Sequence, residues 1–250
     1  SVSIGVVPLG ARDDTVAEIL RRADLACHTA KELGRNRIRL YSEDDTDLAR
    51  RHGDMQWVAR LHRALDHGDF RLHRQPMQAL GRAGERPFTE LLVRLVEADG
   101  TLVAPGRFIT AAEHYALMPL IDRWVIDRAC RWIGGHDDGT RWFINLSGTS
   151  LSDESLPEYI GERLAEHGVP AGRVCFEITE TAAIANMQAA MRLMQHVRRL
   201  GCAVALDDFG SGLSSFNYLK TLPADYLKIE GSFVRALEQD AVDYTIVDAV

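Results

Sequence analysis

Two hydrophobic periods alternate along most of the chain. Short runs that alternate apolar and polar residues, or are apolar almost throughout, predict strands: "FRLHRQ" (70–75), "TELLVRL" (89–95), "WFINLS" (142–147), "RVCFEIT" (173–179), "CAVALD" (202–207) and "DYLKI" (225–229). Between several of them lie longer runs with apolar residues every third or fourth position, such as "LIDRWVIDRACRWI" and "NMQAAMRLMQHVRRLG". These predict amphipathic helices, the second ending on Gly201 as a helix C-terminus does. Strand then helix, repeated in one direction, predicts a parallel sheet, and this many units predict closure into a TIM-type (βα)8 barrel. Six strand candidates stand where eight are needed, so the rest are expected past Val250, where the helix-like "AVDYTIVDAV" stops.

The first residues have a different order. "VSIGVV" predicts a strand, "GARDDT" a turn and helix start, and Ile19, Leu20, Ala23, Ala26, Cys27 and Ala30 share one helical face; Gly34 ends that helix and "RIRLY" returns as a strand. The charged stretch "SEDDTDLARRHGDMQ" (42–56) has too little apolar content for a fold of its own and is assigned as a linker. The expected division is therefore a piece of one domain at 1–41, a linker at 42–56 and a second domain at 57–250. Both ends read as cuts within something longer.

Charge and cysteine content narrow the function classes. Net charge is −7, and basic residues occur in no block longer than short pairs such as Arg21–Arg22, which argues against a nucleic-acid polymer as partner. Cys27, Cys130, Cys175 and Cys202 are widely spaced, without a CxxC pair, as expected of buried thiols in a reduced cytoplasmic chain. No apolar run approaches the about 18 residues of a membrane span, so this segment is expected to be soluble even if a longer parent is membrane-anchored.

The polar residues that interrupt the strands carry the chemistry. Asn145, Glu177, Asp207, Asp208 and Lys228 fall at or near strand C-terminal ends, the face on which βα barrels build their sites; Glu90 falls early in its strand, sharing a face with Leu92 and Arg94. Three or four carboxylates and one amide oxygen suit a hard divalent ion, Mg²⁺ or Mn²⁺, and the nine histidines show no HExxH or HxH pairing that would favour zinc. Taken singly, each residue has a plainer explanation: a rim charge for Glu90, a backbone partner for Asn145, a turn for Asp-Asp before glycine. Taken together, adjacent aspartates allow one carboxylate to bridge two ions while the other holds one, as in two-metal hydrolysis at phosphorus. "DFG" at 208–210 lacks the glycine loop, strand lysine and HRD segment of a kinase, and "GSG" at 210–212 is not a dinucleotide fingerprint.

Seven stretches in order, "FRLHRQPM", "TELLVRL", "PGRFITAAE", "FINLS", "FEITET", "ALDDFGSGLSS" and "LPADYLKIEGSFV", make residues 57–250 resemble the EAL-type cyclic di-GMP phosphodiesterase domain. "SIGV", "ADLACHTAK" and "GRNRIRLY" make residues 1–41 resemble the tail of a GGDEF diguanylate cyclase domain, without its signature loop. The first resemblance implies metal ligands at Glu90, Asn145, Glu177, Asp207 and Asp208. It also implies that Lys228 orients the attacking water, that Gln75 and Arg94 contact substrate, and that Glu180 steadies the loop Phe209–Ser215, which shapes the metal site and a homodimer contact. The ligand it implies is cyclic di-GMP, cut to linear pGpG; a receptor that holds cyclic di-GMP without cutting it stays open. The second resemblance matches Lys31 and Arg35 to a phosphate-contacting pair, although basic residues at a helix end also simply complement its dipole. Departures are Leu91 for the motif's alanine, Leu213 for a common aromatic and Glu230 for the usual aspartate, while a late glutamate ligand and a Gln-Gly loop are expected beyond Val250.

Overall fold

The computed structural model describes residues 2–8, 36–41, 47–78, 87–103, 105–136, 138–210 and 221–235, with residues 16, 19, 20, 22, 23, 26, 27, 30, 244, 245 and 247; of 47–56 it describes the backbone alone. Lys31, Arg35, Leu213 and the loop residues Ser211–Ser215 lie outside these. The chain divides into two compact units, Ser1–Trp57 and Val58–Val250. No helix among the described residues is long and apolar enough to cross a membrane.

In the first unit, β1 (Ile4–Val6) and β2 (Ile38–Leu40) pair in parallel, with helical residues between them. The glycine of "SIGV" is there for contact. A Cβ on Gly5 would stand 2.2 Å from the carbonyl oxygen of Ala23 and 2.4 Å from the backbone nitrogen of Cys27, so the helix backbone rests directly on the strand. Helix α1 runs from Asp47 to His67, through the last ten residues of the expected linker.

The second unit is a sheet wrapped by helices. Its strands are β3 (Phe70–Met77), β4 (Phe88–Val96), the short β5 (Leu102–Val103), β6 (Arg141–Leu146), β7 (Val174–Thr179), β8 (Ala203–Phe209) and β9 (Tyr226–Ile229), ordered β3-β4-β6-β7-β8-β9 with β5 against β4. All six expected strands are present. The helices are α2 (Pro105–His114), α3 (Met118–Gly134), α4 (Leu156–Glu166), α5 (Glu180–Ala185), α6 (Met187–Arg199) and α7 (Gly231–Arg235). Gly201 follows α6 at φ +94°, the left-handed conformation expected there.

One expectation is corrected. β3 is antiparallel to β4, whereas β4, β6, β7, β8 and β9 are mutually parallel. The ten residues between Met77 and Phe88 are fewer than the dozen or more that a parallel crossover needs. Strand alternation shows which residues share a face but not which way the strand runs. The antiparallel register sets Gln75 directly opposite Glu90 and Arg71 opposite Arg94.

The sheet curves as a barrel wall. Four strand-to-strand steps separate β4 from β9, about 19 Å in a flat sheet, yet Lys228 Nζ stands 3.2 Å from Glu90 Oε2. Outward residues Trp142, Ile144, Phe176, Ile178, Val204 and Leu206 are buried beneath helices whose own buried stripes include Ile121, Val125 and Ile126 of α3 and Leu193, Met194 and Val197 of α6. Inward residues Phe143, Cys175 and Ala205 form a second apolar cluster with Met77, Phe88 and Tyr226 packed against it. The rings of Phe88, Phe143 and Tyr226 lie 5.3–5.6 Å apart and form an aromatic floor inside the barrel. Arg141 lies over the rings of Phe88 and Tyr226 and donates to the Tyr226 hydroxyl.

Candidate active site

Above this floor the inward residues turn polar. Lys228 Nζ is 2.8 Å from Glu177 Oε1, 3.2 Å from Glu90 Oε2 and 3.2 Å from Asp207 Oδ2, so carboxylates from β4, β7 and β8 meet on one ammonium from β9. Asn145 on β6 donates from Nδ2 to Glu90 Oε1 at 2.8 Å, which leaves its carbonyl oxygen free of that bond. Five adjacent strands thus each deliver one side chain to one place.

Strand tilt explains how the "early" Glu90 joins residues that end their strands. Pairing sets Glu90 opposite Phe143 but Asn145 opposite Glu177, and Glu177 opposite Ala205 but Asp207 opposite Thr179. The site therefore climbs two residues in register between β4 and β6, and two again between β7 and β8. Strands tilted to the axis of a barrel require such a stagger at constant height.

A bulge explains the adjacent aspartates. Leu206 pairs with Leu227 and Phe209 with Ile229, so Asp207 and Asp208 together oppose Lys228 alone. Asp208 takes φ +53°, a left-handed conformation that aspartate tolerates better than most residues. Strict alternation would send the two carboxylates to opposite faces; the bulge keeps both near the mouth. Loss of solvent, then the charges of Asp207 and Glu230, hold the Asp208 carboxyl above its ordinary value.

Glu177 holds its charge at a cost. It is fully buried, and among the described residues neither of its oxygens accepts an aligned hydrogen bond; only the Lys228 ammonium stands beside it. Burial pushes its carboxyl up to about 8 despite the opposing pull of Lys228. Burial works against the lysine's charge too, but Glu177, Asp207 and Glu90 outweigh it and hold the amine above the usual lysine range.

The donor set fits a hard divalent ion. Glu90, Glu177, Asp207 and Asp208 oppose one ammonium, which leaves three formal negative charges in one pocket when all are ionised. A dication is the natural counter-charge, and it would return the orphaned Glu177 to its ionised form. No group of three or more His, Cys, Asp or Glu side chains among the described residues is drawn tightly enough to grip a metal. The carboxylate oxygens stand around Nζ at 2.8–3.2 Å instead of about 2.1 Å from a Mg²⁺ ion, a difference of about 1 Å.

The other expected residues lie around this cluster. Glu180, buried at the start of α5, accepts from the Gly210 N–H at 2.8 Å and so ties down the chain just after Asp208. A Cβ on Gly210, at φ +97°, would meet the Phe233 ring at 2.8 Å. Gln75 is exposed beside Glu90 in register, and Arg94 is half-buried with Nη1 bonded to the Val93 carbonyl. Neither makes a described contact with the cluster. Leu91 turns outward, 4% exposed, toward a cavity of about 210 Å³ that it lines with Ala129 and Trp132 of α3, as its alternation predicts. Leu91→Ala is expected to lower the unfolding free energy by about 2–3 kcal/mol, read from the urea midpoint, and to leave divalent-ion affinity unchanged.

The pattern missed Asp122. Its signal was a lone carboxylate on the apolar stripe of α3, among Met118, Ile121, Val125 and Ile126. It is buried and accepts from residues in the turn after β6.

The family model of the EAL domain matches residues 58–250. The cyclic di-GMP phosphodiesterase PdeB of Shewanella oneidensis is 41% identical over 254 residues, covering all of this chain, which spans 29% of that protein's length. The cyclic di-GMP phosphodiesterase PdeF of Escherichia coli is 36% identical over 194 residues, 76% of this chain and 26% of that one. The crystal structure of the FimX EAL domain from Pseudomonas aeruginosa bound to c-di-GMP superposes with a TM-score of 0.72 at 35% identity, over 77% of this chain and 78% of that one. With its TIM-like α/β barrel, the chain belongs to the EAL domain family.

Proposed function

We propose that this chain hydrolyses cyclic di-GMP to linear pGpG, using Mg²⁺ or Mn²⁺ held by Glu90, Asn145, Glu177, Asp207 and Asp208. The observation that carries the reading is the meeting of Glu90, Glu177 and Asp207, from three strands, within 3.2 Å of one ammonium. The names of PdeB and PdeF, and the ligand bound to the FimX EAL domain, support the substrate.

Bound divalent ions would supply charge neutralisation at phosphorus and a more acidic water. The chain's own residues do the rest. Lys228, fixed by its carboxylates, offers positive charge to a water or phosphoryl oxygen at the barrel mouth. Water oxygen bonds to phosphorus as the phosphorus–oxygen bond to the ribose 3′ carbon's oxygen breaks, leaving a 3′-hydroxyl and a 5′-phosphate. Gln75 and Arg94 bind substrate beside the cluster, and Glu180 steadies the loop Phe209–Ser215 through its bond from the Gly210 N–H.

We infer also that residues 1–41 are the C-terminal part of a GGDEF-like domain, joined through 42–56. The parallel strand pair with its packed helix supports this. Homodimer formation through the barrel and a cytoplasmic setting complete the reading.

The test is incubation of the chain with cyclic di-GMP and Mn²⁺, with and without EDTA, and separation of the products. Linear pGpG in the metal-containing sample alone is expected. Tight binding by calorimetry without pGpG would overturn hydrolysis in favour of a receptor.

A further inference from the structure

Asp122 lies on α3, outside the barrel wall, and is 4% exposed. Its Oδ2 accepts three hydrogen bonds: from the Ser147 backbone N–H at 2.9 Å, the Ser147 hydroxyl at 2.7 Å and the Ser150 hydroxyl at 2.7 Å. All three donors belong to the turn that begins two residues after Asn145. Ser147 also caps the short 3₁₀ stretch Gly148–Ser152, accepting from the Ser150 N–H. The next residue of the helix, Arg123, grips the far end of the same loop, donating to Asp153 Oδ2 at 2.8 Å and to the Ser155 hydroxyl at 2.7 Å. One turn of α3 therefore clamps the whole connection leaving β6.

A buried carboxylate is an expensive way to hold a loop. Packing alone would be served by an apolar residue, as at the neighbouring buried positions Ile121, Val125 and Ile126. A carboxyl group instead fixes direction, because three hydrogen bonds converge on one oxygen. What that direction governs is the end of β6, where only Leu146 separates Ser147 from Asn145. The Asn145 amide turns its nitrogen to Glu90, which on the metal reading leaves its oxygen for the ion, and a small rotation of the strand end would lose that alignment.

We propose that Asp122 is a positioning residue of the metal centre: its grip on Ser147 and Ser150 sets the orientation of the Asn145 amide and thereby the affinity for the divalent ion. This rests on the metal reading of the cluster. Residues behind a ligand commonly change metal affinity by about 10–100-fold.

The experiment measures Mn²⁺ binding to the 250-residue chain by the loss of free-ion paramagnetic resonance signal, with the thermal midpoint of the metal-free chain alongside. Asp122→Asn keeps the shape and puts an NH₂ donor where one of the two carboxyl oxygens stands. It is expected to weaken Mn²⁺ binding by about tenfold with little change in the midpoint, and Ser150→Ala, which removes one of the three bonds, by a smaller factor. The deciding measurement is the same substitution in an Asn145→Ala background, where the further loss should vanish because the two residues act through one ligand. A tenfold loss that persists without Asn145, or an Asp122→Asn chain that binds Mn²⁺ like the wild type, overturns the inference. A wild type that binds no Mn²⁺, or binds it equally after Asp207→Ala, overturns the metal reading itself and this inference with it.

Discussion

Lys228→Ala should move catalysis and metal binding in opposite directions. Cleavage of cyclic di-GMP is expected to fall by about 10²–10³-fold, the usual loss when a fixed donor to the reacting oxygens is removed. Mn²⁺ affinity is expected to rise. The ammonium sits 2.8–3.2 Å from oxygens of Glu177, Glu90 and Asp207, so it competes for the charge that a metal would use. Even at the dielectric constant of water, a unit charge about 4 Å from a dication costs roughly 2 kcal/mol, so relief of that repulsion should tighten binding at least about tenfold. One opposing effect sets a pH dependence. Burial already holds Glu177 up at about 8, and without the ammonium it rises further, so the metal must displace a proton. The gain should therefore be smaller at pH 7 than at pH 8.5. Calorimetric titration with Mn²⁺ at the two pH values decides the matter: a lysine that merely props the site would show both activity and affinity falling.

Most of the scaffold is legible in the sequence because burial on one face imposes period. The six strands of the barrel wall and the helices α3 and α6 follow from that alone. So does the outward turn of Leu91. What period does not encode is relation between strands. The hairpin direction of β3 depends on the length of its connection, and the height at which Glu90 meets Asp207 depends on tilt, a property of the curved sheet as a whole. Asp207 and Asp208 show the limit most clearly. Alternation sends adjacent residues to opposite faces, and the bulge opposite Lys228 that keeps both at the mouth is local backbone geometry at the end of a strand. Asp122 was legible as an anomaly on an apolar stripe but not as a function, since its meaning lies in partners 25–28 residues away.

These features share a physical logic. A cluster of like charges is held open only where a rigid wall prevents its collapse or its escape to solvent. The wall is built from fully buried residues on the outer face, Ile144, Phe176 and Leu206 among them, and from the aromatic floor on the inner face. The polar layer sits on that floor: Phe143 pairs in register with Glu90 and precedes Asn145 by two residues on the same strand face.

Phe143→Ala should therefore be among the most destabilising single changes in the barrel. The side chain is 2% exposed and its ring stands 5.3 Å from Phe88 and 5.5 Å from Tyr226. Truncation removes one ring from a three-ring cluster whose other members are fixed on β4 and β9, so the floor can close over the gap only by moving strands. Such substitutions cost about 3–5 kcal/mol, a large share of the about 5–15 kcal/mol that holds a typical domain together. The expected fall in melting temperature is roughly 6–20 °C for a domain of this size. Phe143→Leu keeps most of the volume and should recover the larger part of the loss. Leu120→Ala on the exposed side of α3, where the side chain is 45% exposed, is the control and should cost far less. Were Phe143→Ala no worse than that control in calorimetry, the rings would not be packed as a floor, and the rigidity ascribed to the site above them would need another source.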